Sequence, residues 1–198
     1  ARHITPTDVV EVATLLRTFN RPVEFNIEGD PRPDLIALVR QVKPTQCTLV
    51  PVRPGEITSQ AGWSPHTPRE EMKVLVHALK ADGVRVSLFV DPEEEPIRWA
   101  ADSGADRVEL YTEPFARAYE RGPEAAEESF AVYTRAATLA TSLDMKVNAG
   151  HDLDLDNLRL FRRLPDLAEV SIGHALVSYA LFVGLDRSVR EYLDLLAG

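Results

Sequence analysis

The sequence predicts an α/β fold in which parallel strands alternate with helices, and two observations support this prediction. Strand-like segments recur along the chain, and amphipathic helical patterns separate them. The strand-like segments are VEFNIE (23–28), QCTLVPV (46–52), RVSLFV (85–90), RVELYT (107–112), KVNAG (146–150) and EVSIGHA (169–175). Repeated strand–helix units of this kind favour a parallel sheet with right-handed crossover connections.

The polarity of the strand faces favours a barrel over a doubly wound sheet. In VEFNIE and RVELYT, apolar residues alternate with polar ones, whereas a strand covered by helices on both sides should be apolar on both faces. We therefore predict a TIM-type (β/α)8 barrel with six of its eight strands visible, in a single domain over residues 1–198. Its outer face would pack on helices, and its polar interior would suit a ligand. An open sheet with one solvated face is the alternative.

The helices are predicted from capping signals and apolar periodicity. The first helix has Thr5 as its N-cap, Pro6 at the first helical position and Asp8 in a capping-box-like pattern. The later helical patterns are PDLIALVRQV, REEMKVLVHALKADG, EEEPIRWAADSG, PEAAEESFAVYTRAATLATSL, LDNLRLFRRL and RSVREYLDLLAG. Residues 51–68, rich in proline and glycine, form a connection long enough to be a lid.

Composition is that of an ordinary soluble globular protein, with 44% hydrophobic and 27% charged residues among 198. The net charge of −9 is spread along the chain, so we expect no nucleic acid partner. No apolar stretch reaches the roughly 20 residues that span a bilayer, and no signal-peptide pattern is present, so we expect no membrane partner. Cys47 is the only cysteine, which excludes an internal disulfide and a cysteine-based metal cluster and favours the cytoplasm.

Catalytic groups in barrels lie at the C-terminal ends of the strands, so the candidate catalytic residues are the few polar ones at those ends. Glu28 ends the first strand-like segment, and His151 follows the fifth, where Gly150 allows the backbone to pass close to a ligand. Gly173 and His174 lie where the last strand turns into a helix. Free N–H groups at such a helix N-terminus make a phosphate site.

The motifs FNIE, EITSQAG, VSLFVD, KVNAGHDL and VSIGHA, in this order, resemble the pyridoxine 5'-phosphate synthase family of (β/α) barrel enzymes. The resemblance covers essentially the whole chain. It implies condensation of 3-amino-2-oxopropyl phosphate (amino-acetone phosphate) with 1-deoxy-D-xylulose 5-phosphate, giving pyridoxine 5'-phosphate, phosphate and water. It implies no metal or organic cofactor, two phosphorylated small-molecule substrates, and a homo-oligomer.

The resemblance implies catalytic roles for three residues. Glu28 matches a general base, and a carboxylate facing a barrel interior loses hydration, so its pKa should rise toward the working pH. His151 is similar to the family's proton donor, a role that imidazole suits near neutral pH. Glu109 resembles the family's carboxylate that stabilises charge in the transition state.

The residues that the resemblance assigns to substrate binding are His3, Thr58, Asp152, Gly173 and His174. The last three would hold the amino-acetone phosphate group. Asp152 stands where the family usually has glycine, so only its backbone N–H is expected to serve. His3 and Thr58 match residues that contact deoxyxylulose phosphate, and the loop that carries Thr58 would close over that substrate.

Full-length family members begin with two further strands, ending NIDH and HLR, which supply another general base and several substrate contacts. Six strands alone would expose two parallel edges and a polar interior. We therefore expect the chain to be part of a complete enzyme rather than a shortened relative.

Structural and functional alternatives stay open at this point. Glu28 could form an interior ion pair with Arg85 or Arg107, Glu109 could pair with Lys146 or Arg107, and His151 could cap a turn. Another phosphosugar aldolase or epimerase is a second function, although a Schiff-base aldolase needs a lysine at a strand end and Lys146 begins its strand. A non-catalytic barrel that binds phosphate ligands is a third.

Overall fold

The computed structural model describes residues 4–52 and 59–197. Within them the strands form one sheet in the order of the sequence, and every neighbouring pair is parallel. The strands are β1 (Asn26–Gly29), β2 (Gln46–Leu49), β3 (Arg85–Val90), β4 (Arg107–Leu110), β5 (Lys146–Ala149) and β6 (Leu167–Val170). This sequential parallel order confirms the α/β prediction and is the order of a TIM-type barrel.

Helices connect the strands and cover the outer face of the sheet. They are α1 (Pro6–Leu16), α2 (Pro33–Val42), α3 (Arg69–Ala81), α4 (Glu94–Asp102), α5 (Glu113–Glu120), α6 (Pro123–Ser142), α7 (Leu158–Phe161), α8 (His174–Val183) and α9 (Leu185–Ala197). The capping box predicted for α1 is confirmed, because the Asp8 N–H donates to the Thr5 hydroxyl and the Thr5 N–H donates to the Asp8 carboxylate.

The sheet curls as a barrel wall does, and a side-chain contact across its inside demonstrates this. The amide nitrogen of Gln46 on β2 donates to the Glu169 carboxylate on β6 over 3.3 Å. Four strand spacings separate β2 from β6, which is roughly 19 Å in a flat sheet, far too long for such a bond. The polar face therefore lies inside a curved wall, and in the described part of the chain β1 and β6 are its two edges.

The core lies between the outer face of the sheet and the helices. Val86, Leu88 and Val90 of β3 are fully buried, as are Val108 and Leu110 of β4. Burying each such side chain contributes about 1.5–3 kcal/mol. This buried apolar layer stabilises the strands, so the opposite, inward face of the sheet does not need to be apolar and can hold polar side chains.

Several predicted bounds were wrong: β2 ends at Leu49 instead of 52, β4 ends at Leu110 instead of 112, and three larger differences follow. Strand β1 begins at Asn26 instead of 23, because the Phe25 N–H donates to the Thr45 hydroxyl and Val23 stays exposed. Pairing on β6 ends at Val170 instead of 175, since α8 begins at His174. Helix α5 was not predicted at all.

Candidate active site

The C-terminal ends of β1, β4 and β5 bring Glu28, Glu109 and His151 to the same end of the sheet. Glu28 pairs in register with Thr48, and Glu109 pairs with Asn148, so both carboxylates belong to the inward face. His151 follows β5 by two residues. A Cβ atom built on Gly150 would lie 3.2 Å from Oε1 of Glu109, which places that carboxyl directly beneath the peptide that carries the imidazole.

Glu109 is a buried carboxyl with a raised pKa. Its side chain is only 1% exposed. Burial first, and then the charges of Glu28 and Glu169, hold the pKa of the Glu109 carboxyl well above its usual range, against a hydrogen bond with Thr48. Among the described residues, Oε2 of Glu109 has no hydrogen-bond partner. Buried polar atoms are normally satisfied, so this oxygen is available to a bound molecule.

Glu28 extends into the mouth of the curled sheet, where solvent still reaches it although the surrounding protein removes much of its hydration. This loss of hydration, together with the charge of Glu169, raises the pKa of the Glu28 carboxyl, while hydrogen bonds with Ser171 and Asn26 oppose the rise. The Asn26 amide donates to Oε1 of Glu28 over 2.8 Å. A carboxyl with a raised pKa can take up a proton closer to neutral pH, as a general base requires.

Interior ion pairs involve other acids. Arg107 donates to Glu169 over 2.9 Å and to the Asn148 amide oxygen over 3.0 Å. Arg85 pairs with Glu24 over 2.5 Å. In the described part of the chain, neither Glu28 nor Glu109 forms an ion pair. Arg107 pairs with Glu169 inside the curled sheet, whereas the partner of Arg85, Glu24, is largely exposed.

The imidazole of His151 is half-buried against the rings of Phe89 and Tyr111, whose own centroids lie 5.6 Å apart. Its centroid lies 4.8 Å from the Phe89 ring and 5.7 Å from the Tyr111 ring. Burial lowers the pKa of His151, and the charge of Asp152 partly offsets this. A lowered pKa makes the protonated imidazole a stronger acid, which suits proton donation.

The predicted phosphate residues lie at two places on the rim. Gly173 is the N-cap of α8, His174 is its first residue, and both are exposed. No acidic residue lies in the first turn of α8, so its N–H groups meet no competing carboxylate there. Asp152 adopts φ 61°, the left-handed conformation that favours glycine.

An open cleft of about 880 Å³ lies beside the imidazole. His151, Asp152 and Tyr111 form part of its lining, and Arg117 and Arg121 of α5 form another part. These two arginines were not predicted as site residues, because α5 itself was not predicted. The start of that helix could have been predicted from Thr112, Glu113 and Pro114, because proline is common in the first two positions of a helix. Glu28, Glu109, Gly173 and His174 do not line this cleft.

Two predicted substrate residues, His3 and Thr58, lie outside the described residues. Trp63, in the described part of the same loop, is held by two hydrogen bonds. Its backbone N–H donates to the Phe89 carbonyl oxygen over 2.8 Å, and its indole N–H donates to the Leu49 carbonyl oxygen.

Among residues 4–52 and 59–197, no group of three or more His, Cys, Asp or Glu side chains is placed to hold a metal ion. No helix in these ranges is both long enough and apolar enough to cross a membrane.

Solved structures with similar backbones show the fold alone. The YdjI aldolase from Escherichia coli K12 aligns with 97% of this chain and 73% of its own, with TM-score 0.60 and 12% identity. The tryptophan synthase A-subunit from Pyrococcus furiosus aligns with 97% of this chain and 74% of its own, with TM-score 0.61 and 14% identity.

Sequence comparison identifies the family. The family described as "Pyridoxal phosphate biosynthesis protein PdxJ" matches residues 1–198. The pyridoxine 5'-phosphate synthase of Bacteroides thetaiotaomicron is 48% identical over 196 residues, which are 98% of this chain and 79% of the relative. That of Porphyromonas gingivalis is 46% identical over 197 residues, 99% of this chain and 79% of the relative. The chain belongs to the PdxJ family of pyridoxal phosphate biosynthesis proteins.

Proposed function

We propose that this protein is a pyridoxine 5'-phosphate synthase, which condenses 3-amino-2-oxopropyl phosphate with 1-deoxy-D-xylulose 5-phosphate by acid/base catalysis. Its relatives carry that name at 46–49% identity. The observation that carries the proposal is the rim itself. Two carboxyls with raised pKa values lie at the same end of the sheet as an imidazole with a lowered pKa, a combination typical of a site that moves several protons.

Each of the three groups has a role that its surroundings support. Glu28, the more accessible carboxyl, acts as the general base. His151 donates a proton to a departing oxygen, and its aromatic neighbours limit access of water to the imidazole. Glu109, whose Oε2 has no hydrogen-bond partner among the described residues, ionises beside an iminium formed from the substrate amine, because a nearby cation favours the charged carboxylate, and then stabilises that positive charge.

The phosphate groups are assigned to two sites. The N–H groups at the start of α8, including those of Gly173 and His174, hold the phosphate of the aminoketone together with the backbone N–H of Asp152. Gly173 favours this because nothing lies within 4 Å of the position that a Cβ atom would take. His3 and Thr58 are assigned to deoxyxylulose phosphate from the family motif.

The test is turnover of both substrates by the purified protein, followed by chromatographic detection of pyridoxine 5'-phosphate and by release of inorganic phosphate. We expect product from the wild type and at least a 100-fold loss of kcat in Glu28→Gln and in His151→Ala. His77→Ala, on α3, is the control and should match the wild type. Binding of both substrates without turnover would favour a non-catalytic binding protein, and failure to bind either would refute the proposal.

An oligomeric, cytoplasmic enzyme is part of the proposal. Leu181 and Phe182 on α8 are 82% and 87% exposed, and exposed apolar clusters commonly mark association surfaces. The buried, unpaired Cys47 suits a reducing compartment. Light scattering of the purified protein should give a mass that is a multiple of the protomer, and Phe182→Glu should lower it.

A further inference from the structure

Thr112 is a buried threonine at the start of α5 that does not cap its helix. It is fully buried and occupies the N-cap position, yet its side chain makes no capping hydrogen bond. A threonine at this position ordinarily accepts a hydrogen bond from an N–H in the first turn, which stabilises the helix. Here that stabilisation is absent, so the hydroxyl serves another contact.

The hydroxyl of Thr112 instead donates a short hydrogen bond to the carbonyl oxygen of His151. Backbone pairing between β4 and β5 ends at Leu110 and Ala149, two residues before each partner of this bond. The side-chain bond thus extends the connection between the two strands past the sheet, up to the residue that carries the imidazole.

The His151 peptide lies in a turn whose successive carbonyl groups all have donors. The Gly150 oxygen accepts from the Leu153 N–H over 3.1 Å, and the Asp152 oxygen accepts from the Asn157 amide over 2.9 Å. Thr112 supplies the donor for the carbonyl between them. The turn is also left-handed at Asp152, a conformation that persists only when its surroundings hold it.

We propose that Thr112 is a positioning residue, whose hydroxyl fixes the His151 backbone so that the imidazole stays packed against Phe89 and Tyr111 and points toward the substrate. The two rings contact each other and the imidazole, but they do not fix the peptide from which it projects. Loss of the Thr112 bond would release that peptide while the rings remain. This inference rests on the proposed function, in which His151 transfers a proton.

The electrostatic surroundings of the imidazole come from a few groups. Asp152 follows it in the chain, and Tyr111 contacts its ring. Glu113, Arg117 and Arg121 of α5 line the same cleft. Because Thr112 itself carries no charge, any change in the titration of His151 after its replacement reports movement of the imidazole and not a lost charge.

The experiment compares Thr112→Val, which keeps the shape and removes the hydroxyl, with Thr112→Ser, which keeps the hydroxyl. Thr134→Val is the matched control, because the Thr134 hydroxyl also donates to a backbone carbonyl, that of Phe130 on α6. We expect Thr112→Val to lower kcat about 10-fold or more with KM changed less than about twofold. Thr112→Ser and Thr134→Val should stay within about threefold of the wild type in kcat.

NMR titration of His151 is the readout that a purely structural role would not change. In Thr112→Val the imidazole should leave its aromatic surroundings, and its pKa should rise toward the ordinary histidine value. Thr112→Ser and Thr134→Val should titrate as the wild type does. In the wild type, the Thr112 hydroxyl proton should also be observable and exchange slowly with water, a measurement that does not depend on a variant folding.

The inference would be overturned by equal kcat in Thr112→Val and Thr134→Val, by an unchanged titration of His151 in Thr112→Val, or by a fast-exchanging Thr112 hydroxyl in the wild type. An impairment of Thr112→Ser as large as that of Thr112→Val would assign the effect to packing and also overturn it. Absence of turnover in the wild type would refute the proposed function instead. The titration needs no substrate and would still decide the role of Thr112.

Discussion

Replacement of Gly150 by alanine tests how closely the site is packed beneath His151. The added Cβ atom would lie 2.7 Å from the Ser171 carbonyl oxygen and 3.2 Å from Oε1 of Glu109, whereas ordinary contact begins at 3.4 Å. The first neighbour is backbone and cannot rotate away. Because the Ser171 N–H donates to the Ala149 oxygen over 2.8 Å, moving it also strains the link between β5 and β6.

The magnitude follows from two opposing effects. Overpacking of this kind destabilises by about 1–3 kcal/mol, and the reduced freedom of the unfolded chain returns about 0.4–1 kcal/mol. We therefore expect Gly150→Ala to lower the free energy of unfolding by about 1–2 kcal/mol. Displacement of His151 and Glu109 should lower kcat roughly 100-fold.

The assay is urea unfolding followed by circular dichroism, together with steady-state turnover. Gly173→Ala is the matched control for stability, because Gly173 has φ −104° and no atom within 4 Å of its Cβ position. Its unfolding midpoint should be equal to or slightly above that of the wild type, because the reduced freedom of the unfolded chain contributes about 0.4–1 kcal/mol here with no overpacking to oppose it. If Gly150→Ala proved as stable and as active as the wild type, the close approach of β6 and Glu109 to this glycine would be refuted.

Two further predictions concern ionisation. Glu109→Gln should raise the free energy of unfolding at neutral pH while lowering kcat. Because the pKa of Glu109 is higher in the folded protein than in the unfolded chain, the wild-type protein loses stability as pH rises from the unfolded-state pKa toward the folded-state pKa. Urea unfolding should show that the stability gained by Glu109→Gln disappears at acidic pH. The same gain at every pH would contradict a raised pKa of Glu109. Asp152→Asn removes the charge that raises the pKa of His151, so the basic limb of kcat against pH should move to lower pH. A limb that stays in place would show that another group sets it.

Much of the rim was predictable from the sequence because its residues occur in local patterns. Alternation within FNIE and RVELYT assigned Glu28 and Glu109 to a polar inward face. Gly150 was expected to let the backbone pass close to a ligand, and its observed neighbours are the Ser171 carbonyl oxygen and Glu109. Such patterns depend only on a strand's side-chain period of two. The capping signals of α1 are local in the same sense.

Contacts across the curled sheet could not be predicted. Nothing in the sequence around Glu169 indicates its partners, yet its carboxylate accepts hydrogen bonds from Gln46 on β2 and Arg107 on β4. Phe89 alternates with apolar neighbours, and nothing in RVSLFV indicates that its ring meets His151. Which inward residues meet depends on the curvature and stagger of the wall, a property of all strands together.

The central claim is that Glu28, Glu109 and His151 act on one bound molecule at the rim of the sheet. A crystal structure with pyridoxine 5'-phosphate bound tests it most directly. We predict the pyridine ring within about 4 Å of both carboxyls and the imidazole, with its phosphate at the start of α8. A product molecule bound elsewhere, or one that contacts His151 while Glu28 and Glu109 contact only protein, would contradict the account.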